Sequence, residues 1–267
     1  MTPRTGEPGT APERRFFLAQ PPGDGEAALL PGELAHALRV LRLQPGDRLI
    51  GLDGRGGSWP LEVSAVGRDR ISLAPCGEAR RDPRPGEAGA PLPWIEVAVP
   101  WPKGGRVEEM LDRLTQLGAA AIAPLACARA GPHAGLLPAG RRERLERVLR
   151  EACKQSGRTW PPILREGDPI GAGSAAVDAL LLDPGAEGDI AEWIRDRIGR
   201  GEANWTLPRP LFVLVGPEGG FTSEERDGWL ARGAAAVRLG PHVLRVETAA
   251  EAALAILGSA LLSATRS

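Results

Sequence analysis

The feature that most constrains this chain is an apolar run, Leu211 to Val215, followed at once by a glycine-rich segment, GPEGGF at residues 216–221. A second glycine-bearing loop, LGPHVLRVET at residues 239–248, follows shortly after. Short apolar runs of this kind are typical of buried strands, and in open α/β sheets ligands bind where such strands end. The two loops therefore predict a ligand site in an α/β domain.

Composition excludes several classes of protein. With 267 residues, 42% hydrophobic and 25% charged, the chain has the make-up of a globular protein long enough for two domains. We expect no apolar run long enough to cross a bilayer and no signal peptide in the polar arm that begins at Met1, hence a cytoplasmic protein without a membrane partner. Three scattered cysteines predict reduced thiols, and with only three histidines we expect no metal site.

Charge and aromatic content limit how this protein could bind nucleic acid. The formal net charge is −1, there is no tyrosine, and aromatic residues make up 4% of the chain. A broad positive field is therefore absent, and a sheet that stacks several bases on aromatic rings is disfavoured. Any RNA would have to be held by local basic patches.

The N-terminal part predicts a small β-barrel. Short strands are indicated at Arg48–Asp53, Trp59–Val63 and Arg70–Leu73, and the apolar spacing of Gly32–Leu41 predicts a helix that plugs the barrel. The segment from about Gly77 to Pro93 mixes charges, glycine and proline, which is typical of a linker.

After the linker, strands alternate with helices, which predicts a mainly parallel sheet with helices on both faces. The predicted strands lie at 95–99, 121–125, 179–182 and 211–215, and the predicted helices at 107–117, 141–155 and 190–198. Two capping boxes, Thr222–Glu225 and Thr248–Glu251, indicate that each glycine-rich loop runs into a helix.

The loops favour a neutral or cationic ligand. Glycines at 216, 219 and 220 permit close approach to the backbone, although GPEGG alone is as typical of an ordinary tight turn. Neither dinucleotide nor P-loop fingerprint is present, and Glu218 would repel phosphate, which counts against a dehydrogenase or kinase. An adenosine that carries a sulfonium fits these features better.

The segments GPEGGFTSEE and LGPHVLRVETAAEAAL together resemble the C-terminal signature of the RsmE family, bacterial 16S ribosomal RNA uridine-N3 methyltransferases of the SPOUT superfamily. Residues 15–17, 36–42, 103, 116–118 and 151–158 resemble the family's other elements. Two positions depart from the family pattern, Gln116 in place of Glu and Val246 in place of Thr. The second departure removes a hydroxyl beside the predicted pocket.

The resemblance implies an α/β fold, with a SPOUT-type parallel sheet and a C-terminal trefoil knot preceded by a small PUA-like β-barrel. The implied domains are a flexible arm at 1–12, the RNA-binding barrel at 13–78, a linker at 79–93 and the methyltransferase domain at 94–267. The implied activity is S-adenosylmethionine-dependent methylation of a uridine N3 in 16S ribosomal RNA within the assembled small subunit, by a homodimer. The alternatives are a non-catalytic RNA-binding protein and a SPOUT methyltransferase for another RNA.

Candidate site residues follow from the loops and the resemblance. Arg245 is predicted to stabilise the anion that forms on the base, or else to contact phosphate or a second subunit, and Glu247 to accept the N3 proton, or else to interact with the helix dipole. The predicted cofactor contacts are Leu214, Gly216, Pro217, Glu218, Gly219, Gly220, Leu239, Gly240, Leu244, Arg245 and Thr248.

Basic residues are the candidates for RNA binding. Five arginines at positions 141, 142, 144, 147 and 150 are interleaved with glutamates at pairing distance, which favours a solvated helix face over a phosphate-binding one. The predicted RNA contacts are Arg14, Arg15, His36, Arg39, Arg42, Lys103, Gln155 and Arg158.

Overall fold

The computed structural model describes residues 14–23, 27–102, 105–137, 140–167, 170, 178–207 and 209–264. The chain divides into two compact units. The first holds the chain up to Asp82 together with Lys154–Trp160, and the second holds Pro83–Cys153 and the chain from Pro161 onward.

The first unit is built on a six-stranded sheet that is nearly closed into a barrel. Its strands are β1 (Arg15–Gln20), β2 (Ala28–Leu29), β3 (Arg48–Leu52), β4 (Gly57–Val66), β5 (Ile71–Pro75) and β6 (Arg80–Arg81). The order is β2-β1-β3-β4-β5 with β6 on β4, and an isolated bridge from Ala27 to Leu73 links the two ends. The three predicted strands and the barrel are confirmed, whereas β1, β2 and β6 were not predicted as strands.

The predicted helix is present as α1 (Pro31–Arg39), and it packs on the core of the barrel. Ala37 is fully buried against a cluster that includes Phe16 and Leu61, because the apolar residues of α1 recur at helical spacing. Glu33 on the same helix is also buried, and both its oxygens accept hydrogen bonds from Lys154 Nζ, at 2.9 and 3.0 Å.

The segment 154–160 completes the first unit, which the sequence did not predict. The Thr159 hydroxyl donates to Asp82 Oδ2 at 2.8 Å, and Trp160 Nε1 donates to the Asp82 carbonyl at 3.0 Å. Gly56 N donates to the carbonyl of Thr159 at 3.3 Å. These bonds join residues that are more than seventy positions apart in the chain.

The second unit contains a six-stranded sheet in which every pairing is parallel, as predicted. Its strands are β7 (Ile95–Val99), β8 (Ala121–Pro124), β9 (Ile163–Leu164), β10 (Asp178–Leu182), β11 (Leu211–Val215) and β12 (Ala235–Val237), in the order β12-β10-β11-β7-β8-β9. Along β11, Leu211 and Val213 join one core cluster while Phe212 and Leu214 join another. Both faces are therefore covered, which explains the continuous apolar run.

Five helices cover these faces in the described part of the second unit: α2 (Arg106–Gln116), α3 (Arg142–Ser156), α4 (Ile190–Gly199), α5 (Ser223–Ala231) and α6 (Val246–Ala264). Side chains of α2, α3, α4 and α6 contribute to one core cluster, and Trp229 of α5 packs on the other. Gly118, at φ +99°, follows the end of α2, a backbone conformation that favours glycine. The predicted helices are confirmed to within one or two residues.

The two capping predictions have different outcomes. At α5, Glu225 N donates to Thr222 Oγ1 at 3.2 Å and Thr222 N donates to Glu225 Oε2 at 2.8 Å, so this capping box is confirmed. The box predicted at Thr248–Glu251 is wrong, because α6 begins two residues earlier, at Val246, and Thr248 lies inside the helix.

We expected no apolar segment long enough to cross a bilayer, and α6 shows that this prediction is wrong. This helix has 19 residues and a mean hydropathy of 1.4, enough in length and composition to cross a bilayer. Half of the segment is buried within the protein, where Leu254 and Leu257 pack in the core of the second unit. That burial is typical of a core helix in a globular domain.

Candidate functional site

The two glycine-rich loops lie around one cavity at the carboxyl end of the parallel sheet. Strands β10, β11 and β12 are neighbours, so the loops that follow them meet at the same edge. The cavity measures about 250 Å³. It is lined by Leu182, Asp183, Pro184, Val215, Gly216, Pro217, Glu218, Gly219, Gly220, Val237, Leu239, Gly240, His242, Val243, Leu244, Val246 and Ala249.

Two glycines of the first loop are required by its geometry, Gly216 by a close contact and Gly220 by a positive φ. A Cβ on Gly216 would lie 3.0 Å from the Phe221 ring, and Gly220 adopts φ +69° while its N–H donates to the Pro217 carbonyl at 2.8 Å. A Cβ on Gly219 would lie 3.4 Å from the Arg129 side chain. The loop is therefore a tight turn whose shape depends on small residues.

A carboxylate next to this turn has a shifted pKa. Hydrogen bonds from its own backbone N–H and then from the Thr222 side chain lower the pKa of Glu224; burial partly opposes them, and the charge of Arg129 makes the smallest contribution, which also lowers the pKa. The cause is the free amides at the start of α5, which favour a negative charge.

The third wall of the cavity comes from the loop after β10, for which the sequence predicted no role in the site. Asp183 Oδ2 accepts from Arg226 Nε at 2.9 Å, and Asp183 Oδ1 accepts from Gly185 N at 2.8 Å. An acidic residue followed by proline and glycine directly after a predicted strand was the available signal. Its meaning depends on β10 lying between β11 and β12, which no local pattern reveals.

The charge of the cavity excludes the usual phosphate site. Among the described residues that line it, only Asp183, Glu218 and His242 are titratable, and none is lysine or arginine. Most of the other side chains are apolar, such as Leu239 and Leu244. A cavity with this lining suits a flat apolar ring with a cationic rather than an anionic group.

Three predicted cofactor contacts do not line the cavity. Leu214 is fully buried in the core behind the first loop, and Arg245 and Thr248 are exposed. The other eight predicted contacts do line it, and their role stays a prediction. The family departure Val246 also lines the cavity, whereas Gln116 lies on α2, where its Nε2 donates to Asp112 Oδ2 at 2.7 Å.

The predicted catalytic residues lie two positions apart at the start of α6. Glu247 Oε1 pairs with Arg106 Nη1 at 3.4 Å, while Glu247 Oε2 is buried and has no hydrogen-bond partner within the described part of the chain. Arg245 is exposed, and its carbonyl accepts the first bond of the helix, from Ala249 N at 2.8 Å. Their catalytic roles stay predictions.

Three predicted RNA contacts lie on or just after α1. His36 and Arg39 are exposed one turn apart, and Arg42, also exposed, follows with φ +50°. Val40 between them is 66% exposed. These residues form one face of the first unit, which we call the α1 face.

The remaining predicted RNA contacts are placed separately. Arg14 is exposed, with Nη1 3.8 Å from Asp47 Oδ2, and Arg15 Nη1 donates to the Lys154 carbonyl at 3.1 Å. Gln155 is exposed and Arg158 is half-buried. Lys103 lies outside the described residues.

Three arginines of the interleaved helix region form ion pairs. Arg141 and Arg144 both reach Glu108, at 3.3 and 3.0 Å, and Arg142 pairs with Glu146 at 3.0 Å. These pairs support the interpretation of a solvated helix face rather than a phosphate-binding one.

Fold and site together define a class of protein. A family profile described as an RNA methyltransferase domain matches residues 90–258, and one described as an RNA methyltransferase PUA domain matches residues 31–76. The parallel sheet and its cavity lie in the first match, and most of the barrel lies in the second. The chain is an RNA methyltransferase with a PUA domain.

Similar proteins define the family. The ribosomal RNA small subunit methyltransferase E of Synechocystis is 31% identical over 242 residues, 90% of this chain and 75% of that protein. The protein of the same name from Mycobacterium bovis is 30% identical, over 91% of this chain and 90% of that one. The chain belongs to the ribosomal RNA small subunit methyltransferase E family, which confirms the resemblance noted in its sequence.

A solved structure shares the whole architecture. A protein of Legionella pneumophila, described as a methyltransferase and solved with the bound cofactor SAM, is 25% identical. The match covers 94% of this chain and 98% of that one with a TM-score of 0.70.

Proposed function

We propose that this protein transfers the methyl group of S-adenosylmethionine to the N3 atom of a uridine in 16S ribosomal RNA, within the assembled small subunit in the cytoplasm. The observation that carries the proposal is the cavity formed by the loops after β10, β11 and β12, whose described lining has apolar and acidic side chains but no lysine or arginine. S-adenosylmethionine has a flat adenine and a cationic sulfonium, which match this lining.

The residues present fit that cofactor. Leu239 and Leu244 offer apolar surface to the adenine, and the turn 216–220 offers backbone groups for its polar edge. Glu218 adds negative charge to the lining, where the charge of Asp183 is partly balanced by its ion pair with Arg226. When bound, the cofactor supplies an activated methyl group with a good leaving group, so the protein mainly aligns the donor with the acceptor and excludes water.

The uridine N3 must also be activated by a general base, because it carries an imide proton and is a poor nucleophile until that proton is lost. Glu247 is the proton acceptor in this proposal. Arg106 holds one of its oxygens, and the other is buried without a partner among the described residues, available for a proton. Arg245 stabilises the resulting negative charge on the base oxygens.

RNA recognition belongs to the first unit in this proposal. The α1 face presents His36, Arg39 and Arg42 to solvent together with exposed Val40, which suits contacts to phosphate and to an unstacked base. Arg14, Arg15, Lys103, Gln155 and Arg158 complete the proposed set of contacts.

The finer architecture is also proposed. The division of the chain after Asp82 supports two domains, proposed at 13–78 and 94–267 with a linker between them, although β6 and Lys154–Trp160 also belong to the first unit. We also propose a C-terminal trefoil knot and a homodimer, which the resemblance to the family implies. The exposed side chain of Val243, at 72%, gives an apolar contact for a second subunit beside the cavity.

The test is methyl transfer with purified protein and labelled S-adenosylmethionine, offered small subunits or naked 16S ribosomal RNA from cells that lack the gene. Nucleoside mass spectrometry should find N3-methyluridine, formed faster on the assembled subunit. RNA binding without methyl transfer would support the non-catalytic alternative instead. Transfer to a different RNA would support the other SPOUT methyltransferase.

Two variants test the catalytic assignments. Glu247→Gln should slow single-turnover transfer by about 100-fold at neutral pH, because it removes the proton acceptor. Arg245→Lys should lower turnover more than cofactor affinity, because a lysine keeps the charge but loses the planar fork. A full single-turnover rate for Glu247→Gln at every pH, or an equal loss of both quantities for Arg245→Lys, would contradict the respective role.

A further inference from the structure

The segment that follows β8 reaches the first glycine-rich loop at two points. Arg129 Nη1 donates to the Gly219 carbonyl at 2.8 Å and to the Phe221 carbonyl at 3.2 Å. Ala128 N donates to Glu225 Oε1 at 2.7 Å. We call these three contacts the β8 clamp.

The clamp shares a residue with the cap of α5. Glu225 accepts from Ala128 N with one oxygen and from Thr222 N with the other, at 2.8 Å. Both ends of the segment 219–225 are therefore tied to residues about ninety positions earlier in the chain.

The clamping segment is held by contacts of its own, although Ala126, Ala128 and Arg129 are exposed. Ala130 N donates to the Cys127 carbonyl at 3.0 Å, and Cys127 packs on the same core cluster as Phe221. A Cβ on Gly135 would lie 2.6 Å from Ala126, so the returning chain runs close against it. Arg129 therefore projects from a fixed base.

These contacts decide which way the peptide groups of the loop face. Arg129 takes the carbonyls of Gly219 and Phe221, and the Gly220 N–H is used by the Pro217 carbonyl. Arg129 itself is exposed and does not line the cavity, although Gly219 and Gly220 do. A side chain outside the pocket thus sets the shape of its wall.

We infer that Arg129 is a positioning residue for the methyl donor: it holds the loop 216–222 in the conformation that binds, so that donor affinity depends on it. The inference rests on the proposed function. If only a fraction of the donor-free molecules holds this loop in the binding conformation, the apparent Kd equals the intrinsic Kd divided by that fraction. Two charge-assisted bonds to carbonyls are strong enough to control that fraction.

The test compares Arg129→Ala and Arg129→Lys with Arg195→Ala, an exposed control on α4 whose Nε bonds the Ala191 carbonyl of its own helix at 3.1 Å. By calorimetry with S-adenosylmethionine, Arg129→Ala should raise Kd about tenfold while kcat at saturating donor changes less than about twofold. Arg129→Lys should recover part of the affinity, and Arg195→Ala should match the wild type. A wild-type Kd in Arg129→Ala would overturn the inference.

Amide hydrogen exchange on the donor-free protein gives a readout that does not depend on the cofactor. Arg129→Ala should exchange faster in residues 216–222 than the wild type, with β10 and β11 unchanged. Unchanged exchange in that loop, or faster exchange throughout the sheet, would contradict a local clamp. If the wild type binds no S-adenosylmethionine, the proposed function fails, and the exchange result still decides whether the clamp exists.

Discussion

The two glycine-rich loops resemble each other in sequence but differ in how they are held. The loop after β11 is closed by its own turn, capped at Thr222 and fixed by the β8 clamp. In the loop after β12, residues 240–244 make no hydrogen bond to any described residue, His242 is exposed, and Val243 is 72% exposed. The cavity therefore has one preorganised wall and one that is free to adjust to a ligand.

The glycines show the same difference. Gly216 is required by a close contact and Gly220 by a left-handed backbone, whereas a Cβ on Gly240 would meet nothing within 4 Å. Its φ lies outside the left-handed region. Glycine at 240 is thus not needed for the fold of its loop. Two glycines of the first loop shape the backbone, whereas the glycine of the second loop does not.

The largest expected effect comes from crowding the fixed wall. Gly216→Val places methyl groups against the Phe221 ring, 3.0 Å from the Cβ position, at a cost of about 2 kcal/mol. Donor affinity measured by calorimetry should fall about 30-fold. The matched change in the open wall, Gly240→Ala, should alter affinity by less than about threefold. Equal losses would mean that both walls are equally constrained.

The N-terminal ends of α5 and α6, which follow the two loops, offer a second comparison. The same substitution, threonine to alanine, can be made at each. Thr222→Ala removes the cap of α5 and should lower the free energy of unfolding by about 1 kcal/mol. Thr248→Ala acts inside α6, where alanine is a better helix former, and should change stability by less than about 0.5 kcal/mol. Urea denaturation measures both. A loss at Thr248 as large as that at Thr222 would contradict the position of Thr248 inside α6.

The smallest effect concerns pH. Because the folded protein lowers the pKa of Glu224, the ionised carboxylate stabilises the fold above the unfolded pKa, and this contribution is lost as pH falls through the lowered folded value. Glu224→Gln should therefore be less stable than the wild type at pH 7, with the difference in urea midpoint shrinking below about pH 4.5. A difference that stays constant between pH 7 and the acid limit would show that the charge has no part in it.

Much of the fold could be predicted because its signals are local. Val213 lies in an apolar run that is typical of a strand buried on both faces, and the buried stripe of α2 has helical spacing. The strand β12 gave no such signal, since it has three residues and two of them are half-buried alanines. The pattern at Thr248–Glu251 was misleading because a Thr-x-x-Glu sequence also occurs inside a helix.

The site could be predicted only in part for a related reason. The glycines of the two loops carry information in their own sequence, so their loops were found. Asp183 and Arg129 matter because of strand order and of contacts across about ninety residues, neither of which leaves a local pattern. Resemblance to the family supplied the cofactor and the substrate, which spacing and charge alone left open.

Seven residues, 154–160, belong to the barrel although the chain on both sides of them belongs to the parallel-sheet unit. No single cut can therefore separate the two units into complete halves. In a fragment that ends at Asp82, this last residue would lose its hydrogen bonds from the Thr159 hydroxyl and the Trp160 indole. The buried carboxylate of Glu33 would lose its hydrogen bonds from Lys154. Chimeras that exchange barrels between relatives should therefore transfer this heptapeptide together with the N-terminal portion. Without it, the transferred barrel would lack part of its structure.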